Sequence, residues 1–125
     1  MSVQLKETGI RKTYLIDDVI FRSDYLVMEP CVYMILSGEV DLIHKYNPLQ
    51  KEVFHYTQGD IVGVLEVYTG TVRLTEAVAR TEVQAMCFTR EQFEKNMIGN
   101  LKFALIAIRN LSKMLRQVNG RIKKL

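Results

Sequence analysis

The residues best suited to chemistry lie between positions 59 and 79, where glycines and one arginine interrupt apolar segments. Gly59 precedes an Ile-Val pair, Gly63 opens a short helix-like segment, and Arg73 leads into the next strand-like segment. The beginning of a helix after glycine offers unpaired backbone N–H groups and the positive end of the helix dipole to an anion. Because Arg73 lies ten residues beyond Gly63, its planar, always-charged fork can fold back to face the same anion. The pattern predicts a phosphate pocket.

The order and spacing of these residues resemble the phosphate-binding cassette of cyclic nucleotide-binding domains. That family includes the sensor half of the catabolite activator protein and the regulatory subunits of protein kinase A. Its cassette reads roughly F-G-E-L-x-L, a short loop, then R-[ST/A]-A-[ST]-V-x-A. The matching segments here are Val62-Gly63-Val64-Leu65, then Gly70-Thr71-Val72-Arg73 and Ala79, with Tyr33 to Val40 similar to the family's Y-x-I-L-x-G-x-V. The resemblance covers about Val19 to Leu125.

The resemblance implies a ligand site without any further cofactor. The ligand would be a cyclic nucleotide such as cAMP or cGMP, or a similar phosphate-bearing small molecule. Arg73 would be the counter-charge of its phosphate. The backbone donors and the residues after the arginine would complete the phosphate site: Gly63, Val64, Leu65, Leu74 and Thr75.

In the family, the end of the last helix also closes over the purine base. Counted without gaps from Arg73, that place falls near Val118 and Asn119. The Asn119 amide has both donors and acceptors, so it is a candidate for contacting a base edge. The alternative is an exposed helix amide with no ligand.

Two positions depart from the family pattern. Val64 replaces the glutamate that receives the ribose 2′-hydroxyl, and the bulkier Leu74 replaces the small residue after the arginine. Loss of a charged acceptor weakens binding by ~1.5–3 kcal/mol. The chain is therefore a regulatory ligand sensor or, alternatively, a dimeric interaction scaffold that has lost its ligand. A third hypothesis is the sensor half of a Crp/Fnr-type transcription regulator, in which case this chain alone would not bind DNA sequence-specifically.

Eight short segments rich in β-branched and aromatic residues, separated by turn residues, predict a mainly β fold with C-terminal helices. The architecture expected is a jelly-roll barrel over about 10–89. A capping box at Thr89 and Gln92 predicts a short helix over about 90–97, and Asn100 is the expected N-cap of a long helix over 100–125. The whole chain, 1–125, is expected to form one domain. The strands are predicted at Arg11–Ile16, Val19–Phe21, Cys31–Ser37, Glu39–Tyr46, Glu52–Tyr56, Ile61–Val62, Arg73–Ala79 and Glu82–Thr89.

The long helix carries an apolar heptad repeat. Two sets of apolar residues recur every seven positions, offset by three, which is typical of a coiled-coil seam. The pattern predicts a homodimer through this helix, as the resemblance also implies; the alternative is an amphipathic helix packed on its own barrel. The seam residues are Leu101, Ile108, Leu115 and Ile122 with Ala104, Leu111, Val118 and Leu125.

Charge is distributed unevenly along the chain. Residues 101–125 carry seven basic and no acidic side chains, whereas the remainder carries 10 basic and 14 acidic ones, so +7 and −4 give the net +3. The basic helix is interpreted as a solvated face or as complementary to the acidic body of a partner subunit, and an unidentified protein is a further candidate partner. Contact with nucleic acid or an anionic membrane is the alternative.

Other functions find little support in the sequence. His44 and His55 are isolated on separate strands, so no metal site is expected. The sequence has no Gly-x-Ser-x-Gly motif, Walker loop or Cys–His arrangement. Cys31 and Cys87 are expected to be packed, reduced thiols. The chain opens with no apolar signal segment and contains no run long enough to cross a membrane, which predicts a cytoplasmic protein without catalytic activity.

Overall fold

The computed structural model describes residues 9–21, 31–47, 49–69 and 75–124. Within these ranges, eight strands and three helices occur. The strands are β1 (Ile10–Tyr14), β2 (Val19–Phe21), β3 (Val32–Ser37), β4 (Val40–Asn47), β5 (Gln50–Tyr56), β6 (Ile61–Val62), β7 (Thr75–Ala79) and β8 (Val83–Phe88), and the helices are α1 (Val64–Thr69), α2 (Arg90–Gly99) and α3 (Leu101–Lys124).

The strands form two four-stranded sheets whose neighbours are all antiparallel. One sheet has the order β1-β8-β3-β6 and the other β2-β7-β4-β5. Because side chains alternate between the two faces of a strand, each sheet turns one apolar row inward. The rows meet in a core that includes Ile35, Leu42, Phe54 and Ala85, each at most 1% exposed.

The outer face of the first sheet is covered by the helices. Val32 and Met34 of β3, together with Phe88, pack against Phe93 of α2 and Phe103 of α3. Phe103 lies edge-on to Phe88, with ring centroids 5.8 Å apart. Burial on both faces explains why β3 is apolar almost throughout, and it fixes α3 beside β6, where the predicted cassette begins.

The helix boundaries follow from their caps. Both halves of the predicted capping box are present, since the Thr89 hydroxyl accepts from the Gln92 N–H and the Gln92 side chain accepts from the Thr89 N–H. Helix α2 ends at Gly99, two residues beyond the expected end, because the backbone becomes extended only at Asn100. The Asn100 side chain then accepts from the Phe103 N–H at 3.1 Å, so Asn100 caps α3 as predicted.

The predicted fold class is confirmed, with strand ends that move by only one or two residues. Asp17 lies at φ 70°, a left-handed turn conformation that aspartate tolerates better than most residues. In the part of the chain that the structure describes, no helix is long and apolar enough to span a membrane.

Candidate functional site

A glycine turn joins β6 to α1 at the place where the sequence predicts the cassette. Gly63 is buried at φ 90°, a conformation that glycine adopts without steric cost. A Cβ atom here would lie 2.9 Å from the Cys31 carbonyl oxygen, so no larger residue fits without movement. The Val67 N–H donates to the Gly63 carbonyl oxygen at 3.3 Å, which closes the first turn of α1. The order of strand, glycine turn and short helix is therefore the predicted one.

The predicted ligand residues are described to different extents. Val64 begins α1 and is 9% exposed, and Thr75 begins β7 fully buried. The backbone of Leu65 lies in α1, but its side chain is outside the described part of the structure. Arg73 and Leu74 lie outside the described residues.

A narrow cavity adjoins the Gly63 turn. Its walls come from the second sheet, from β6 and the turn, and from three side chains of α3. The volume is about 20 Å³, which is room for a single water molecule. Among the described residues, three side chains of α3 thus help to enclose this small cavity. The lining residues are Leu42, Tyr56, Ile61, Val62, Gly63, Val64, Asn110, Leu111 and Met114.

Asn110 holds α3 against the entrance to the cassette. Its Oδ1 accepts from the Ile61 backbone N–H at 2.8 Å, and its Nδ2 donates to Asp60 Oδ1 at 3.2 Å. The other carboxylate oxygen of Asp60 accepts from the Thr57 N–H at 2.9 Å, so this carboxylate is already oriented. Asn110 is only 7% exposed, and loss of its side chain would leave a buried N–H unpaired.

A second contact lies one turn further along α3. Lys113 Nζ donates to the His55 carbonyl oxygen at 3.3 Å and lies 5.3 Å from the Tyr56 ring centroid. The sequence analysis did not predict the contacts of Asn110 and Lys113. The available signal was a polar asparagine on the side of α3 that also carries Phe103 and Ala107, both at most 1% exposed.

The opposite side of α3 exposes apolar residues. Leu101 is 75% exposed, Leu105 47% and Ile108 53%, whereas Ala104 and Leu111 are half-buried. The described seam residues are therefore divided: Leu101 and Ile108 lie on the side of α3 that its own sheets leave uncovered, whereas Leu111 packs against the core and lines the cavity. Asn119 and the remaining seam positions belong to the helix backbone up to Lys124, but the side chains of Leu115, Val118, Asn119 and Ile122 fall outside the described part, as does Leu125.

Polar contacts tie α1 to α2. The Tyr68 hydroxyl donates to Glu94 Oε2 at 2.8 Å, and Arg90 lies 4.7 Å from the Tyr68 ring centroid while pairing with Glu94 at 3.3 Å. Burial, and then the bond to Glu94, raise the pKa of Tyr68 to about 12. The same hydrogen bond, with Arg90, lowers the pKa of Glu94. These contacts position the short cassette helix from outside.

The two histidines lie on separate strands, His44 on β4 and His55 on β5. His55 Nδ1 bonds to Asp41 Oδ1, and the other oxygen of Asp41 accepts from Arg80 Nε at 2.7 Å. His44 is paired in register with Glu52 and Thr75. Among the described residues, no three histidine, cysteine or acidic side chains come together as metal ligands do.

Comparison with the sequence models of protein families identifies a domain that covers most of the chain. The sequence model of the cyclic nucleotide-binding domain matches residues 11–99, which is more than two thirds of the chain. No curated protein sequence matches the chain.

Solved structures share the fold at low sequence identity. The catabolite activator protein of Thermus thermophilus has a TM-score of 0.71 at 20% identity, covering 91% of this chain and 53% of its own. The heme domain of CooA from Carboxydothermus hydrogenoformans has a TM-score of 0.75 at 15%, covering 92% and 78%. A mutant regulatory subunit of a cAMP-independent protein kinase A from Trypanosoma brucei, bound to cAMP in its A site, has a TM-score of 0.64 at 23%, covering 92% and 39%. The chain thus spans about half the length of the activator protein.

Proposed function

The chain belongs to the cyclic nucleotide-binding domain family, and from that premise we propose that it is a regulatory module that senses a cyclic nucleotide or a similar phosphate-bearing small molecule. The supporting observation is the Gly63 turn within the matched region. Its positive φ and the helix that follows directly are features that a phosphate cassette needs.

In this proposal the backbone N–H groups of Val64 and Leu65 face the phosphate. Arg73 supplies the opposite charge, and Thr75, buried at the beginning of β7, lines the site. Val64 cannot accept a ribose hydroxyl. Because a lost charged hydrogen bond costs ~1.5–3 kcal/mol, binding of cAMP or cGMP should be about one to two decades weaker than with a glutamate there.

Ligand binding would be read out by α3. A small-molecule site holds roughly 300–1,000 Å³, whereas the cavity beside Gly63 has about 20 Å³. In this proposal, a nucleotide that enters beside Gly63 displaces the α3 side chains that line this cavity, namely Asn110, Leu111 and Met114. A ligand that favours the displaced position of α3 shifts the population toward it.

We extend the proposal to a homodimer through α3, because Leu101 and Ile108 are exposed on the heptad seam. Sedimentation of Ile108→Lys tests this, since a charge at a seam position should produce monomers. The matched control is Ile98→Lys on α2, where an isoleucine is 88% exposed off the seam. The dimer is excluded if the Ile108 variant sediments like the control.

The ligand proposal is tested by thermal unfolding with cAMP, cGMP and cyclic dinucleotides. At a hundred times the dissociation constant, a ligand stabilises by ~2.7 kcal/mol, a rise in midpoint of roughly 8–13 °C for this length. Arg73→Ala should abolish the rise. Arg11→Ala should keep it, because Arg11 lies on β1 and bonds only to Gln84 among the described residues.

The second candidate function is an interaction scaffold without a ligand. Two observations favour it: Val64 is apolar, and the cavity that α3 lines beside Gly63 has a volume of only about 20 Å³. Absence of a thermal shift with every nucleotide, in a protein that remains dimeric, would select the scaffold.

A further inference from the structure

The structure brings together two cysteines that lie far apart in the sequence. In the β3–β8 pairing, Tyr33 is directly opposite Cys87. Cys31 lies two residues before Tyr33, and alternate residues share a face, so Cys31 and Cys87 are diagonal neighbours on the inner face. Both belong to the core between the sheets, together with Tyr14 and Tyr33.

The two sulfurs differ in environment. Cys87 is 5% exposed, whereas Cys31 is half-buried. A side-chain hydrogen bond with Cys31, followed by burial, raises the pKa of the Cys87 thiol. Cys87 therefore keeps its proton, and Cys31 is the sulfur that a reagent from solvent reaches first.

We propose that Cys31 and Cys87 form an oxidation site that closes to an intramolecular disulfide when the protein meets a peroxide. The Cys31 thiolate attacks one peroxide oxygen, the O–O bond breaks, and Cys31 sulfenic acid forms with release of water or an alcohol. The Cys87 sulfur then attacks the Cys31 sulfur, and the departing hydroxide takes the Cys87 proton to become water. Two thiols are oxidised by two electrons and one peroxide is reduced.

The bond requires a small movement of Cys31. Diagonal neighbours in a sheet have Cα atoms roughly 7–8 Å apart, while disulfides span about 4.4–6.8 Å. Cys31 lies one residue before β3, and the register pairs with β8 begin at Val32, so the approach of the two Cα atoms takes place at the end of the pairing.

That movement reaches the cassette turn. The Cys31 carbonyl oxygen is the atom against which Gly63 packs, and the Tyr33 ring is its next neighbour. Disulfide formation therefore moves the Cys31 carbonyl oxygen, which packs against the β6–α1 turn. The oxidation site does not depend on the proposed function, but any effect on a bound ligand does.

Intact mass and non-reducing peptide mapping of peroxide-treated, folded protein test the bond. Wild type should lose two hydrogen atoms, show a linked 31–87 peptide pair, and recover with dithiothreitol. Cys31→Ser should not react, and Cys87→Ala should gain one oxygen at Cys31 that dimedone traps. If Cys87→Ala fails to fold because that site is buried, wild type and Cys31→Ser still decide. Oxygen addition in wild type without the linkage, or linkage only in urea, overturns the site.

Hydrogen exchange tests the movement without any nucleotide. Amides of 61–69 should exchange about threefold faster or more in the oxidised protein, while those of 41–56 on the other sheet should not change. Peroxide-treated Cys31→Ser is the control. A disulfide that leaves 61–69 at the reduced rate would overturn the coupling to the cassette.

Discussion

Replacement of Asn110 by leucine should loosen α3 from the cassette. Leucine keeps much of the volume of the side chain but removes both of its hydrogen bonds, at 2.8 Å and 3.2 Å. The Ile61 N–H then stays buried without an acceptor, because Ile61 is 2% exposed. An unsatisfied buried donor costs ~1–3 kcal/mol. With ~2 kcal/mol as the central value, the thermal midpoint should fall by roughly 6–10 °C.

Two measurements check this prediction. Urea unfolding should give the ~2 kcal/mol loss, and the Ile61 amide should exchange about thirtyfold faster, the equivalent of the same free energy. Arg109→Ala is the control, because Arg109 is the exposed neighbour, and it should lie within ~0.5 kcal/mol of wild type. A leucine variant as stable as that control would refute the reasoning, since water would then satisfy the Ile61 N–H and α3 would not depend on Asn110.

Three further predictions follow from the backbone, a cap and a titration. Gly63→Ala should lower the free energy of unfolding in urea by ~2–3 kcal/mol, because φ is 90° and the added Cβ meets the Cys31 carbonyl oxygen. Gly59→Ala, also at φ 90° but with nothing within 4 Å of the added Cβ, should lower it by only ~1 kcal/mol. Equal losses would contradict the contact. Thr89→Ala should lose ~1 kcal/mol through the capping box, and an unchanged urea midpoint would contradict it. Burial raises the pKa of Tyr14 from 10.0 to about 12. The folded protein therefore keeps this proton to a higher pH than the unfolded chain, so the free energy of unfolding should fall as pH rises from 10 to about 12. Tyr14→Phe should flatten this dependence of the free energy of unfolding on pH.

Local patterns in the sequence predict most of the fold. Enrichment in β-branched and aromatic residues, with turn residues between the segments, locates the strands, because such side chains favour the extended backbone. The capping box at Thr89 and the cap at Asn100 locate both C-terminal helices to within two residues. The Gly63 turn is also predictable, since glycine is the residue that a positive φ favours.

Contacts between distant segments explain what the sequence alone cannot predict. Cys31 and Cys87 look like two unrelated core thiols until the β3–β8 register makes them neighbours. In the sequence, Asn110 looks like an ordinary helix residue. Nothing near it in the chain shows that its side chain accepts the hydrogen bond of the Ile61 N–H. Such pairings depend on which elements meet, and only long-range packing decides that.

Three residues of α3 line the small cavity beside Gly63: Asn110, Leu111 and Met114. If a nucleotide binds beside Gly63, as proposed, it competes with these side chains for the same space. The free energy that docks α3 is therefore subtracted from the free energy of ligand binding, and the two equilibria are linked. Val64 sharpens this competition, because an apolar wall offers a sugar hydroxyl no bond in return for displacing the helix. In the proposed sensor, affinity is thus set as much by how firmly α3 is held as by the contacts that the cassette makes.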